Sequence, residues 1–123
     1  DEAGILNSLK RLLRRDGYRI LTTTDPNEGL ELLATNDVQV IISDQRMPQM
    51  SGTEFLSRVK GLHPNAIRII LSGYTDLQSI TDAINHGAIW RFLTKPWEDE
   101  VLRKLVREAF REYDLRHGKS QSP

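Results

Sequence analysis

Apolar residues Ile5, Leu6, Leu9, Leu12 and Leu13 recur three and four positions apart, the spacing of one helical face, and Asp16-Gly17 follows as a stop. This predicts a helix over residues 3–15. Residues 18–23 are rich in β-formers and predict a short strand. Asp25-Pro26-Asn27-Glu28 joins a capping residue, a proline at the first helical position and a glutamate at the third. The helix opened there is expected to run to about residue 35, burying Leu30, Leu33 and Ala34. Residues 38–43 (VQVIIS) are mostly apolar and β-branched, as in a strand covered on both faces, which points to a parallel sheet.

The second half repeats this alternation. A loop over 44–51 holds Pro48, and Ser51 with Glu54 forms a second capping box. The helix that follows is expected to bury Phe55, Leu56, Val59 and Leu62 until His63-Pro64-Asn65 breaks it. Residues 66–72 (AIRIILS) predict another buried strand, then a Gly73-Tyr74-Thr75 loop. A helix over 76–86 carries Leu77, Ile80, Ala83 and Ile84 and ends at Gly87. Residues 89–94 predict a strand and Lys95-Pro96 a turn. A longer helix over 98–115 buries Val101, Leu102, Leu105, Val106, Ala109 and Phe110.

A helix followed by four strand–helix units predicts an α/β fold, a doubly wound parallel sheet with helices on both faces. Ligand chemistry in such sheets lies beyond the carboxyl ends of the strands. The chain opens on a helix preceded by Asp1 and Glu2, with no strand before it. One domain is expected over 1–116, with 117–123 as a polar linker.

Composition narrows the function classes. The 123 residues suit one domain with a single core. The absence of cysteine excludes disulfides and thiolate metal sites and fits a cytosolic, cytoplasmic protein. No apolar run is long enough for a bilayer and the start carries no signal pattern, so no membrane partner is expected. Seventeen Lys and Arg balance seventeen Asp and Glu, so no direct nucleic-acid binding is expected. Lys10, Arg11, Arg14 and Arg15 cluster, but such a run is ordinarily a solvated helix face. His63, His86 and His117 are dispersed without metal-ligand spacing.

Three polar residues stand at three strand ends: Asp44, Ser72 and Lys95. Each alone reads as a turn or surface residue. Together, in a parallel sheet, they converge on one edge and supply what phosphoryl transfer needs. The carboxylate can be a nucleophile, the ammonium offsets phosphoryl charge, and the hydroxyl donates a hydrogen bond. A divalent cation such as magnesium is also required, and it prefers oxygen ligands with one or two carboxylates. Asp1 is the natural second carboxylate if the chain start folds toward this edge. A flavodoxin-like enzyme is disfavoured, because no Gly-rich phosphate loop is present and Arg46 stands where an Asp-nucleophile hydrolase would place a second acid.

These residues resemble a known family. Receiver domains of bacterial two-component response regulators (the CheY-like, flavodoxin-like fold) carry an acidic pair after the first strand and an Asp after the third. A Ser or Thr follows their fourth strand and Lys-Pro their fifth. This chain shows IISDQRMPQMSG around Asp44, IILSG around Ser72 and FLTKPW around Lys95. The resemblance implies that Asp44 accepts phosphate from a sensor histidine kinase or small phosphodonor. It implies that Asp1, Asp44 and the backbone carbonyl of Arg46 hold Mg2+ or Mn2+, and that Lys95 pairs with the phosphoryl group. It further implies a cis Lys95-Pro96 bond, a switch through Ser72 and Phe92, and tuning of phosphate lifetime by Arg46 and Tyr74. It makes the chain a self-phosphorylating switch and not an enzyme on an outside metabolite. Residues 76–115 would form the output face and a homodimer surface. Residues 89–97 (IWRFLTKPW) resemble receivers joined to HD-GYP phosphodiesterases and to enhancer-binding transcription regulators, so a C-terminal effector of either kind is implied. Trp90 and Trp97 mark either a contact surface or a cover for the core.

The chain departs from that pattern in lacking the first strand and the first acid of the pair. This favours an alternative, a pseudo-receiver that keeps the fold as an interaction or dimerisation module without phosphate turnover. The absent strand lies mid-sheet in the family, so two strand edges would be exposed. An isolated chain of this sequence is therefore expected to be poorly stable or to associate. A monomeric sample that melts cooperatively and binds magnesium normally would refute this.

Overall fold

Residues Ile67–Ser72 are buried at all six positions, so that strand must be covered on both faces and paired on both edges. A computed structural model of the chain, describing residues 2–47, 49–73 and 77–116, shows this arrangement. The elements run α1 (Glu2–Arg14), α2 (Pro26–Thr35), β1 (Val40–Asp44), α3 (Gly52–Leu62), β2 (Ile67–Ser72), α4 (Leu77–Asn85), β3 (Arg91–Thr94) and α5 (Asp99–Arg116). The strands form a parallel sheet in the order β1-β2-β3. Val40 to Asp44 lie opposite Ile67 to Leu71, and Ile69 to Ser72 opposite Arg91 to Thr94.

Side chains alternate across this sheet with period two and so feed two cores. On one face Ile41 and Ile70 meet Leu33 of α2, Phe55, Leu56 and Val59 of α3, and Ile80 and Ala83 of α4. On the other, Leu71 packs with Leu9 and Leu13 of α1 and Leu102 and Val106 of α5, while Ile67 and Ile69 pack with Ala109. Leu56, Ile70 and Ile80 are wholly buried. Truncation to Ala at such sites costs about 2–5 kcal/mol. The expected caps are present: Asp25 accepts the Asn27 N–H at 2.9 Å, and the Ser51 hydroxyl accepts the Glu54 N–H at 3.1 Å.

Several expectations are corrected. Residues 18–23 form no strand. Tyr18 and Ile20 are half-buried against the α1–α5 core, and Tyr18 stacks on Phe110 at 4.6 Å, so the apolar alternation is used. What is missing is a neighbour: among the described residues no strand lies alongside to accept ladder hydrogen bonds, and an extended segment without them is not a strand. Leu62 and Val101 are 57% and 47% exposed, and Ala34 is exposed as well. Leu62 closes the last turn of α3 and Val101 lies in the first turn of α5. Trp90 and Trp97 are half-buried against the core, and Arg91 lies 4.4 Å over the Trp90 ring.

Polar contacts fasten the helices to this frame. The Arg68 side chain, buried at the amino end of β2, donates Nε to the Ala88 carbonyl at 2.8 Å, Nη1 to Ala66 at 3.0 Å and Nη2 to Gly87 at 3.1 Å. Those carbonyls close the end of α4 and the start of β2. Burial lowers the pKa of the Arg68 guanidinium. Arg103 of α5 grips Asp16, just past α1, through Nη2–Oδ1 at 2.6 Å and Nε–Oδ2 at 3.1 Å. Gly52 opens α3 so close to β1 that a Cβ there would lie 2.2 Å from the Asp44 carbonyl oxygen and 2.8 Å from Ile70 Cδ1.

Two predictions follow from these contacts. The hydrogen bond and charge of Arg103 hold the Asp16 carboxyl below its ordinary 3.8. Asp16 therefore contributes stability that is complete above that value and is lost as pH falls through the lower folded-state value. Asp16→Asn is expected to flatten the acid limb of the stability curve below about pH 4; urea midpoints that fall equally steeply in parent and variant would contradict it. Gly52→Ala is expected to lose about 1–3 kcal/mol or more through overpacking. Gly61→Ala, where a Cβ meets nothing within 4 Å, should instead gain up to about 1 kcal/mol, both read by denaturant unfolding.

Candidate functional site

The carboxyl edge of the sheet is assembled by two backbone bonds beyond the strands. Gln45 N–H donates to the Leu71 carbonyl at 3.0 Å, and Lys95 N–H donates to the Ser72 carbonyl at 2.8 Å. They extend both ladders past the last paired residues and bring the three strand ends level. Asp44 lies opposite Leu71, and Leu71 opposite Leu93. Lys95 follows Leu93 by two, so strand alternation puts the Asp44 and Lys95 side chains on the same face. They meet: Lys95 Nζ donates to Asp44 Oδ2 at 2.6 Å, with 31% and 23% of the two side chains exposed.

The other carboxylate oxygen is also engaged. Arg46 N–H donates to Asp44 Oδ1 at 3.2 Å, an Asx-type turn that fixes the carboxylate plane against the loop. Ser72 is at the end of β2 and 1% exposed, and its hydroxyl donates to the Gly73 carbonyl at 2.8 Å. Phe92 is 37% exposed on β3, an edge strand of the sheet. The Lys95-Pro96 peptide is cis. Thus Asp44 and Lys95 are in contact, Ser72 stands on the neighbouring strand end, Arg46 lies in the adjoining loop, and Phe92 is part-exposed on β3. Asp1 and Tyr74, expected in the metal and tuning roles, lie outside the described residues.

Among the described residues no three acidic or histidine side chains gather as a metal cluster. Asp44 and the carbonyl of Arg46, two residues on, offer oxygen donors of the kind a magnesium ion takes while keeping several waters.

Sequence reasoning missed Gln45 and Gly52. Gln45 is 6% exposed although it starts a loop, and its side chain and backbone bond to the first two residues of α3. The only signal available was a long polar residue directly after a buried strand. Gly52 simply follows the capping Ser51 in the sequence, and its approach to Asp44 is a tertiary fact.

Comparison with known proteins agrees with this geometry. Residues 1–107 match the family described as response regulator receiver domain. The chain is 37% identical over 115 residues to the hydrogenase transcriptional regulatory protein HoxA of Bradyrhizobium diazoefficiens, covering 94% of this chain and 24% of that protein. It thus spans about a quarter of the length of the curated relatives it matches. Among solved structures, an uncharacterized protein from Neptuniibacter caesariensis superposes with a TM-score of 0.93 at 46% identity, over 99% of this chain and 90% of that one. The signal receiver domain of an HD domain-containing protein from Pseudomonas fluorescens Pf-5 superposes with a TM-score of 0.83 at 38% identity, over 89% and 87%. With its parallel sheet, its helices on both faces and its matched sequence, this chain belongs to the response regulator receiver domain family.

Proposed function

We propose that the chain is a phosphorylation switch in which Asp44 is the acceptor. The observation that carries this is the 2.6 Å contact of Asp44 with Lys95 at the carboxyl edge of a parallel sheet, beside Ser72. A carboxylate oxygen of Asp44 attacks phosphorus in the phosphohistidine of a sensor kinase or in a small phosphodonor. The bond from phosphorus to the donor's nitrogen or oxygen breaks, the donor keeps the electron pair and takes a proton from solvent, and Asp44 becomes an acyl phosphate. Water later attacks phosphorus and restores the carboxylate.

Lys95 keeps its ammonium beside the transferred group and neutralises the charge on its oxygens. The Ser72 hydroxyl leaves the Gly73 carbonyl for a phosphoryl oxygen, and Phe92 turns inward from its exposed position. Arg46 and Tyr74, each two residues past a site residue, tune the lifetime of the phosphate. A magnesium or manganese ion held by Asp44, Asp1 and the Arg46 carbonyl would offset charge between the donor and the acceptor. The chain modifies itself and turns over no outside metabolite.

The readout surface is residues 76–115, which also serve as a homodimer face. The effector is a C-terminal transcription regulator or HD-type phosphodiesterase. The likeness to HoxA supports the first and the likeness to the receiver of an HD domain-containing protein the second.

Intact-mass analysis after incubation with acetyl phosphate and magnesium tests the acceptor. One phosphoryl group is expected on the parent and none on Asp44→Asn. A folded parent that gains none would instead identify an interaction module without phosphate turnover.

A further inference from the structure

We infer that Gln45 is a positioning residue for the acceptor: its buried side chain and backbone lock Asp44 and the loop behind it onto the start of α3. The inference rests on Asp44 being the acceptor. A primary amide that is 6% exposed is costly unless its polar atoms are bonded. Those of Gln45 are. Oε1 accepts the Thr53 N–H at 2.9 Å, and Nε2 donates to Thr53 Oγ1 at 3.4 Å. Its carbonyl accepts the Gly52 N–H at 2.8 Å, and its own N–H donates to Leu71 at 3.0 Å.

The first N–H groups of a helix have no partner within it. In α3 the Ser51 hydroxyl takes the Glu54 N–H, while Gln45 takes those of Gly52 and Thr53. The residue next to the acceptor is therefore the main N-terminal anchor of α3. The missing Cβ of Gly52 is what lets the helix come this near the Asp44 carbonyl. Gln49, on the same loop, accepts from Asn27 Nδ2 of α2 at 2.7 Å, so the loop is fastened to two helices. Arg46, whose N–H orients Asp44 Oδ1, lies between these fastenings. Releasing Gln45 leaves the part-buried Thr53 N–H unpaired and loosens the loop that carries Arg46, and the carboxylate shifts with it. Displacement by about 1 Å of a group that must attack in line costs up to about 100-fold in rate.

The test compares rates of phosphoryl addition from acetyl phosphate with magnesium, by intact mass on the full chain, for the parent, Gln45→Met, Gln45→Glu and Gln45→Asn. Each rate is normalised to the folded fraction from urea unfolding. Gln45→Met keeps the length without the hydrogen bonds and is expected to slow addition about tenfold while folded. Gln45→Glu keeps an acceptor for Thr53 N–H and is expected to stay within about threefold of the parent. A purely structural role would not produce that rescue at equal folded fraction. If the Met variant is unfolded at the assay temperature, Gln45→Asn, one carbon too short to reach Thr53, is read in its place with the same expectation. A labelled parent with Met or Asn variants reacting at its own rate overturns the inference. A folded parent that takes no label overturns the acceptor reading first and this inference with it.

Discussion

The parallel pairing of the buried strand Ile67–Ser72 with a strand on each side is the constraint on which the rest of the molecule depends. Parallel strands point their carboxyl ends the same way, so residues far apart in sequence arrive at one edge without any contact between their own segments. Asp44 and Lys95 are 51 residues apart and meet at 2.6 Å for this reason. The same constraint requires helical crossovers on both faces, and these supply the two cores on which the strands rest.

The two ends of the sheet are treated differently. At the amino end, Arg68 spreads its guanidinium over backbone carbonyls that terminate α4 and begin β2. Its partners are dipoles, so the buried cation serves as a fixed fastening. At the carboxyl end the charged groups are half-exposed, and the carboxylate is held by one ammonium and one backbone N–H. An ion pair in that position is partly open to solvent. Gln45 joins the two regimes, since it is buried like Arg68 yet adjoins the half-exposed Asp44.

An edge strand covers the site on one side only. Phe92 on β3 is part-exposed, and Arg91 beside it pairs with Glu108 of α5 at 3.6 Å. β3 carries Lys95 just past its end, so it belongs both to this part-exposed surface and to the site. Asp44 and β3 lie two strand spacings apart, and the contact of Lys95 with Asp44 bridges that distance.

The sequence by itself determined most of the helices, the three ladder strands and the caps at Asp25 and Ser51. These depend on local periodicity and on short side-chain-to-backbone contacts, which are written in neighbouring residues. It also placed Asp44, Ser72 and Lys95 at strand ends, because an apolar run announces a strand and the short polar stretch after it marks the edge. Tertiary structure alone decided the rest. Residues 18–23 alternate like a strand, but pairing needs a partner that periodicity does not reveal. Leu62 and Val101 fit a helical stripe, yet each is exposed near a helix end, and how far a stripe is covered depends on what the rest of the fold lays against it. The contact of Asp44 with Lys95, the burial of Arg68 among carbonyls, and the closeness of Gly52 and Gln45 to the end of β1 depend on the register between distant segments, which no single segment encodes.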